Sequence, residues 1–589
     1  MSKILPLVAC VCLSVACSLT AAAADDPLLG KQVEAFSLVD FHGRPHALAD
    51  HDDKPVVALV FLGTECPLAR LYAPKLVAMA REYAERGVVF LGIDSNMHDT
   101  PTKLTAYANA FHIDFPLLID QGNAVADQLG ATRTPEVFVL DSKRVVRYHG
   151  RIDDQFVVGA PRDAARHREL AGALDALLES KDVAQPSTEF TGCLIAKVRK
   201  VEPHGDVTYT GQVAAIVNRH CVECHREGEL APFALTSYED VVPWTATIRE
   251  VVEEQRMPPW FADPRYGKFS NDCSMSDADR QTLFAWIDNG CPEGDPKLLP
   301  PAPKFTAGWR MGEPDVMYQM DQAYEVPAEG VVDYQYFTVG PKLEKDFWVS
   351  IAEARPGNPQ VVHHVVLFAM PPSEANTPAD QAQQRGQMIG VYAPGMNPWR
   401  YPAGTAMKIE AGSRLVIQMH YTPNGTAQSD RSYVGLKLLE PSEVKEEVRY
   451  GMVVDSSFEI PPHADDHEVV ARKMFLRDVY LLNLFPHMHY RGKSFKYEAE
   501  FPDGRREVIL DVPRYDFNWQ LRYDLAEPVF LPRGTRLICT AHFDNSEGNP
   551  LNPDPAAAVR FGLQSWEEML VGYYTTIRAP TGEKTARSE

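Results

Sequence analysis

The hydrophobic pattern changes its period twice along this chain, and that change constrains the fold more than any single motif does. In residues 26–190, short apolar runs (Pro55–Leu62, Val88–Ile93, Phe115–Ile119, Val137–Leu140, Val145–Tyr148) alternate with stretches of helical spacing at Leu68–Tyr83 and Lys103–Phe111. Such alternation predicts an α/β sheet domain. Residues 205–296 keep mostly helical spacing, broken at Met257-Pro258-Pro259-Trp260. The Pro-rich stretch 297–305 reads as a linker. Beyond it, β-branched and aromatic runs alternate with Gly, Pro and Asn turns, which predicts β-sandwich structure. Roughly 280 residues is long for one sandwich, so two are expected, at 306–445 and 446–580.

Four folded segments suit a chain of 589 residues, which is too long for a single core. The net charge of -22 argues against nucleic acid and anionic membrane surfaces as partners. Lys3, the apolar stretch Leu5–Leu19 and Ala21-Ala22-Ala23-Ala24 read as a signal peptide over 1–24, and no later apolar run reaches membrane-spanning length. The chain is therefore expected to be exported, periplasmic or secreted. Cys17 as a lipidation site is the second reading. Seven cysteines follow the signal, at positions 66, 193, 221, 224, 273, 291 and 539, and in an exported chain they can pair or hold a cofactor.

Cys66, in Gly63-Thr64-Glu65-Cys66-Pro67-Leu68-Ala69, falls between a predicted strand and a predicted helix. A helix N-terminus stabilises a thiolate there. Together with Thr134-Pro135 before the run Val137–Leu140, this segment resembles the redoxin branch of the thioredoxin-like family. The resemblance implies a cis-proline at Pro135 beside the reactive cysteine. The second cysteine of the usual Cys-x-x-Cys is Ala69 here, so Cys193 is the candidate partner, either as a redox thiol or in a structural disulfide with Cys66.

His220-Cys221-Val222-Glu223-Cys224-His225 contains Cys-x-x-Cys-His, the attachment pattern of a c-type haem. Two thiols one helical turn apart can bond two vinyl groups while the following imidazole reaches the iron. A zinc knuckle would want a second ligand pair, which is missing. The segment resembles a small all-α cytochrome c domain carrying one haem, with Cys221, Cys224 and His225 as its attachment and Met257 as the sixth ligand. Cys273 and Cys291 are then expected to pair.

The last third holds His363-His364, His420, His487-Met488-His489 and Met569. Alternation along a strand puts His487 and His489 on one face, whereas the adjacent His363 and His364 need a bulge to serve one metal. A thioether beside imidazoles points to copper. These positions resemble the copper type II, ascorbate-dependent monooxygenases, the family of peptidylglycine α-hydroxylating and dopamine β-monooxygenases. The resemblance implies two coppers per chain. His363, His364 and His420 would hold the electron-transfer copper, and His487, His489 and Met569 the catalytic one where O2 is activated. Phe485 stands where the peptide-amidating members carry an Arg for a substrate carboxylate, and Leu570 where they carry a cysteine. Tyr573 keeps an aromatic near the site. His463, His467 and His542 are expected to be bystanders, and Met419 and Met488 core fillers.

The expectation is a copper monooxygenase that hydroxylates a small organic substrate with O2. Its electrons would come through the fused haem and redoxin modules, from ascorbate or a periplasmic donor. The alternatives are an electron-transfer or copper-handling protein without oxygenase activity, and a thiol peroxidase using Cys66.

Overall fold

A computed structural model describes residues 26–579, apart from 158–161, 163, 199, 230, 306 and 307. The expected signal peptide and Cys17 lie outside the described residues. Among the described residues no helix is long and apolar enough to cross a membrane.

The N-terminal α/β unit forms as its pattern dictates. Val56–Phe61 and Val88–Asp94 run parallel at the centre of a seven-stranded sheet, with Glu136–Leu140 antiparallel on the other side of Val56–Phe61. The central strand is buried on both faces, which is why it reads as an unbroken apolar run. Helix Pro67–Ala84 starts at Cys66, with proline in its first turn where a missing N–H costs nothing.

Residues 205–296 are helical, chiefly Ala214–His220, Thr245–Glu253 and Asp277–Asp288 around Trp244 and Trp286. The Met-Pro-Pro-Trp break takes the chain out of this core. Trp260, Phe261 and Phe269 pack instead into the core of the C-terminal β structure. Asp263 N–H donates to the Asp511 carbonyl at 2.8 Å, and residues 268–271 then follow the strand Tyr523–Leu531, with Ser270 N–H donating to the Asp524 carbonyl at 2.8 Å and Ala526 N–H to the Lys268 carbonyl at 2.8 Å. The helical segment is thus not a self-contained module.

The region after the linker is all-β with two separate cores, and one sheet runs on across the expected boundary near 445. Thr405–Ile409 pairs in parallel with Glu446–Asp455, which joins both halves through one nine-stranded sheet. A four-stranded sheet covers each half. Val362–Met370 and Arg414–Tyr421 lie in the first cover sheet, and Gly492–Glu500 and Arg536–Phe543 in the second. Phe485, Met569 and Tyr573, from the second half in sequence, are buried in the core of the first.

Candidate metal centre and thiol pair

Val362–Met370 and Arg414–Tyr421 are neighbours in the first cover sheet, and their register slips between Val362 and His364. That slip is the bulge the adjacent histidines require, since a regular strand would send them to opposite faces. His364 then lies directly opposite His420. One ligating nitrogen from each of His363, His364 and His420 fits within a sphere of mutual distances below 4.8 Å. The ring centroids stand 5.0 Å apart for His363–His420 and 4.9 Å for His364–His420.

Burial drives the titration of all three imidazoles downward, His363 to about 4 and His364 and His420 well below the usual histidine value, helped for the latter two by neighbouring imidazoles. They are neutral near pH 7, which is the ligating form. His363 Nε2 and His420 Nδ1 are buried with no hydrogen-bond partner. A buried polar atom left this way costs about 1–3 kcal/mol. A metal ion would remove that cost.

The second group sits where the strand Val479–His487 ends against Leu570–Arg578. The imidazoles of His487 and His489 are 5.1 Å apart and nearly perpendicular, at 89°. His487 Nδ1 lies 2.8 Å from Gln520 Oε1, and His489 Nδ1 lies 3.2 Å from the Glu567 carbonyl. Each acceptor takes the Nδ1 proton and leaves Nε2 with its lone pair. His489 Nε2 is buried without a partner. Burial lowers the titration of His487 to about 4 and that of His489 well below the usual value.

Glu568 organises this corner. Its Oε2 accepts the backbone N–H of His489 at 2.9 Å and of Met569 at 3.2 Å, while Oε1 accepts the N–H of Arg491 at 2.6 Å. One buried carboxylate therefore ties the His-x-His segment to the segment bearing Met569. Met569 is buried, and Gln383 Nε2 approaches its sulfur at 3.8 Å. The two histidine groups share Phe517 as a neighbour, its ring 5.3 Å from His363, 6.2 Å from His420 and 6.3 Å from His489. Tyr573 lies 6.0 Å from His487, stacked on Phe485. Met419 and Met488 are fully buried core residues. His463 and His542 pair with Glu547 and Asp466 far from these groups. Glu568, Gln520 and Phe517 carried no sequence signal beyond their residue types.

The Cys-x-x-Cys-His segment forms one turn after helix Ala214–His220, with the N–H groups of Cys224 and His225 both directed at the Cys221 carbonyl. His225 Nδ1 lies 3.2 Å from the Phe233 carbonyl, which fixes that nitrogen as the N–H and leaves Nε2 for iron. Burial lowers the His225 titration, so the ring is neutral. Donor set and tautomer fit a covalent haem. Met257 is half-buried at the exit of the helical core, and the methionine packed against that core is Met275. The expected Cys273–Cys291 disulfide is not formed. Cys273 is a thiol at the surface, 3.6 Å from the Pro259 carbonyl, because the break at 257–260 carries it toward the β structure while Cys291 stays in the helical core.

In the N-terminal unit, Thr134–Pro135 is cis, as expected for Pro135. Arg133–Thr134 pairs with Cys193–Leu194, setting Cys193 opposite Thr134. Cys66 Sγ lies 2.9 Å from the Thr134 carbonyl and 3.5 Å from the Ala69 amide. Both cysteines are thiols. Burial alone would raise the Cys66 pKa, but hydrogen bonds from Cys193, Thr134 and Ala69 bring it down to about 6. The same partner and burial push Cys193 up. One sulfur is poised as the thiolate and the other as its proton donor. Cys193 is the thiol set beside Cys66, where the usual second cysteine of the motif is Ala69.

Comparison with known proteins bears on this N-terminal unit. Residues 29–149 match the AhpC/TSA family. The thiol-disulfide oxidoreductase ResA of Halalkalibacterium halodurans is 28% identical over 130 residues, 22% of this chain and 72% of that protein. ResA of Geobacillus thermodenitrificans is 29% identical over 119 residues, 20% of this chain and 67% of its own length. A crystal structure of a hypothetical protein from Sinorhizobium meliloti 1021 shares 31% identity, covering 29% of this chain and 94% of that one with a TM-score of 0.28. The chain is therefore multidomain, with a redoxin domain of thioredoxin-like type followed by helical and all-β structure. The family match ends before Cys193 and before every histidine of the two groups.

Proposed function

We propose that this chain is an exported copper-dependent monooxygenase that hydroxylates a small organic substrate, with a c-type haem on Cys221, Cys224 and His225. The observation that carries the reading is that, within the C-terminal β structure, the buried imidazole nitrogens left without a partner among the described residues are His363 Nε2, His420 Nδ1 and His489 Nε2. They fall into the two groups that the spacing of the histidines anticipates. His363, His364 and His420 would hold one copper; His487, His489 and Met569 would hold the other, the thioether favouring Cu(I). Bound copper would supply one-electron redox chemistry and the activation of O2, in a reaction that takes R–H, O2, two electrons and two protons to R–OH and water.

The chain's own residues supply the rest. Gln520 and the Glu567 carbonyl hold the Nδ1 protons of His487 and His489, so both rings present Nε2. Glu568 fixes the spacing between His489 and Met569 through their amides. Phe517 sets an apolar ring beside both His363 and His489. Haem c would supply one-electron transfer to the copper region from ascorbate or a periplasmic donor. The Cys66–Cys193 pair would work upstream, two thiols giving a disulfide, two protons and two electrons.

Metal and haem analysis of the purified chain tests the architecture, with about two coppers and one haem expected. Oxygen uptake coupled to substrate loss by the reduced, copper-loaded chain tests the activity. His487→Ala and Met569→Ala should abolish it while the haem stays reducible. Copper uptake without oxygen uptake would replace this reading by an electron-transfer or copper-handling protein. Peroxide turnover lost on Cys66→Ser, in a chain that consumes no oxygen, would favour a thiol peroxidase.

A further inference from the structure

A cavity of about 700 Å³ opens where the helical segment, the linker and both halves of the β structure meet, lined among others by Arg226, Phe305, Tyr401, Leu482 and Arg522. The volume lies in the range of small-molecule sites, about 300–1,000 Å³. Arg522 is the informative residue. It is only 4% exposed, and its guanidinium lies 5.0 Å from the centre of the Trp399 ring. Nη2 donates to Asp524 Oδ2 at 2.7 Å and points at the Pro398 carbonyl at 3.5 Å. Nε and Nη1 are buried and donate to nothing.

A guanidinium cannot shed its proton to relieve this, so its unanswered N–H groups call for an acceptor from outside the chain. Lys304 and Arg400, both exposed at the same cavity, make no ion pair among the described residues. A cationic hollow in a chain of net charge -22 selects anions locally against the field of the whole molecule. The walls contributed by Phe305, Tyr401 and Leu482 suit a hydrocarbon or aromatic body.

We infer that this cavity binds a carboxylate with Arg522 as its anchor. Two sources offer that group. One is a free organic acid with an apolar body. The other is the propionate edge of the haem proposed on Cys221 and Cys224, since Glu223 and Arg226, on either side of Cys224, line the same cavity. The binding site itself rests on neither the copper nor the haem assignment; only the second source does.

Calorimetric titration of the full chain with phenylacetate, against neutral phenylacetamide, tests the site. The acid should bind at least about tenfold more tightly than the amide, and Arg522→Gln should remove that advantage. Binding to the haem-loaded chain identifies a free acid as the occupant. Binding only to the Cys221→Ser/Cys224→Ser chain, which carries no haem, identifies the propionates, and both results uphold the carboxylate site. Should Arg522→Gln fail to fold, Arg400→Gln at the exposed mouth should weaken phenylacetate by about threefold or more. Equal binding of acid and amide, no binding to either form, or phenylacetate affinity unchanged in the folded variant would overturn the inference. Loss of copper binding would leave these results untouched, so the two readings fail separately.

Discussion

Phe517 stacks on His363 with the ring centroids 5.3 Å apart and the planes 16° from parallel. Phe517 is also fully buried in the second core, so one ring belongs both to the hydrophobic interior of one half and to the histidine group of the other. Phe517→Ala should cost about 3–5 kcal/mol in urea unfolding, the usual range for emptying a large core position. Phe517→Leu should cost clearly less. Both should leave the absorbance of the haem proposed on Cys221 and Cys224 unchanged.

Removing His364 breaks the cross-strand pair with His420 and leaves His363 alone on the bulge. Copper per chain, measured by mass spectrometry of the metal, should fall from about two to about one on His364→Ala. His463→Ala, which only breaks an exposed pair with Glu547, should leave the metal content alone.

The thiol pair predicts a pH signature. Cys66 titrates near 6 in the folded chain against an ordinary value of 9.0, so the thiolate persists in the native state where the unfolded chain binds a proton. This contribution to stability is fully present above the unfolded value and is lost as pH falls through about 6. Ultraviolet thiolate absorbance should therefore rise with a midpoint near 6. In Cys193→Ala, which removes the hydrogen bond holding the thiolate, the midpoint should move upward.

Arg491 is buried beneath the turn that carries Met569, with Nε on Asn545 Oδ1 at 2.8 Å and Nη1 on the Trp566 carbonyl at 2.8 Å. Arg491→Met would strand the Trp566 carbonyl and leave Asn545 Oδ1 with only its bond from Asn552 Nδ2, and denaturant unfolding should show a loss of about 1–3 kcal/mol. Because the Trp566 carbonyl lies just before Glu568 and Met569, copper affinity at the Met-containing group should fall in the same variant.

Much of this was legible in the sequence because the signal was local. The period of the apolar residues locates the strands of the redoxin domain, and Cys66 before Pro67 marks a helix start without any tertiary information. Alternation anticipates His487 and His489 as neighbours, although the strand ends at His487 and His489 stands just beyond it. What escaped depends on long-range pairing. Adjacent histidines on a strand face opposite ways unless the register slips, and the slip at Val362/His364 is set by the partner strand rather than by either histidine. The parallel pairing of Thr405–Ile409 with Glu446–Asp455 has no local signature either, so the two halves looked separable. Gln520 and Glu568 are ordinary polar residues until the strands around them close. Cys273 and Cys291 were matched only because they were left over. The chain between Met257 and Cys273 leaves the helical core, which composition does not announce.

That excursion changes what the proline-rich stretch at 297–304 means. With Trp260, Phe261 and Phe269 seated in the C-terminal core and the backbone of 268–270 bonded along Tyr523–Leu531, the helical segment is stapled to the β structure well upstream of the apparent hinge. A protease that nicks 297–304 should release no fragment until denaturant is added. Any electron carrier on the helical segment would ride at a fixed distance from the histidines rather than swing toward them on a tether.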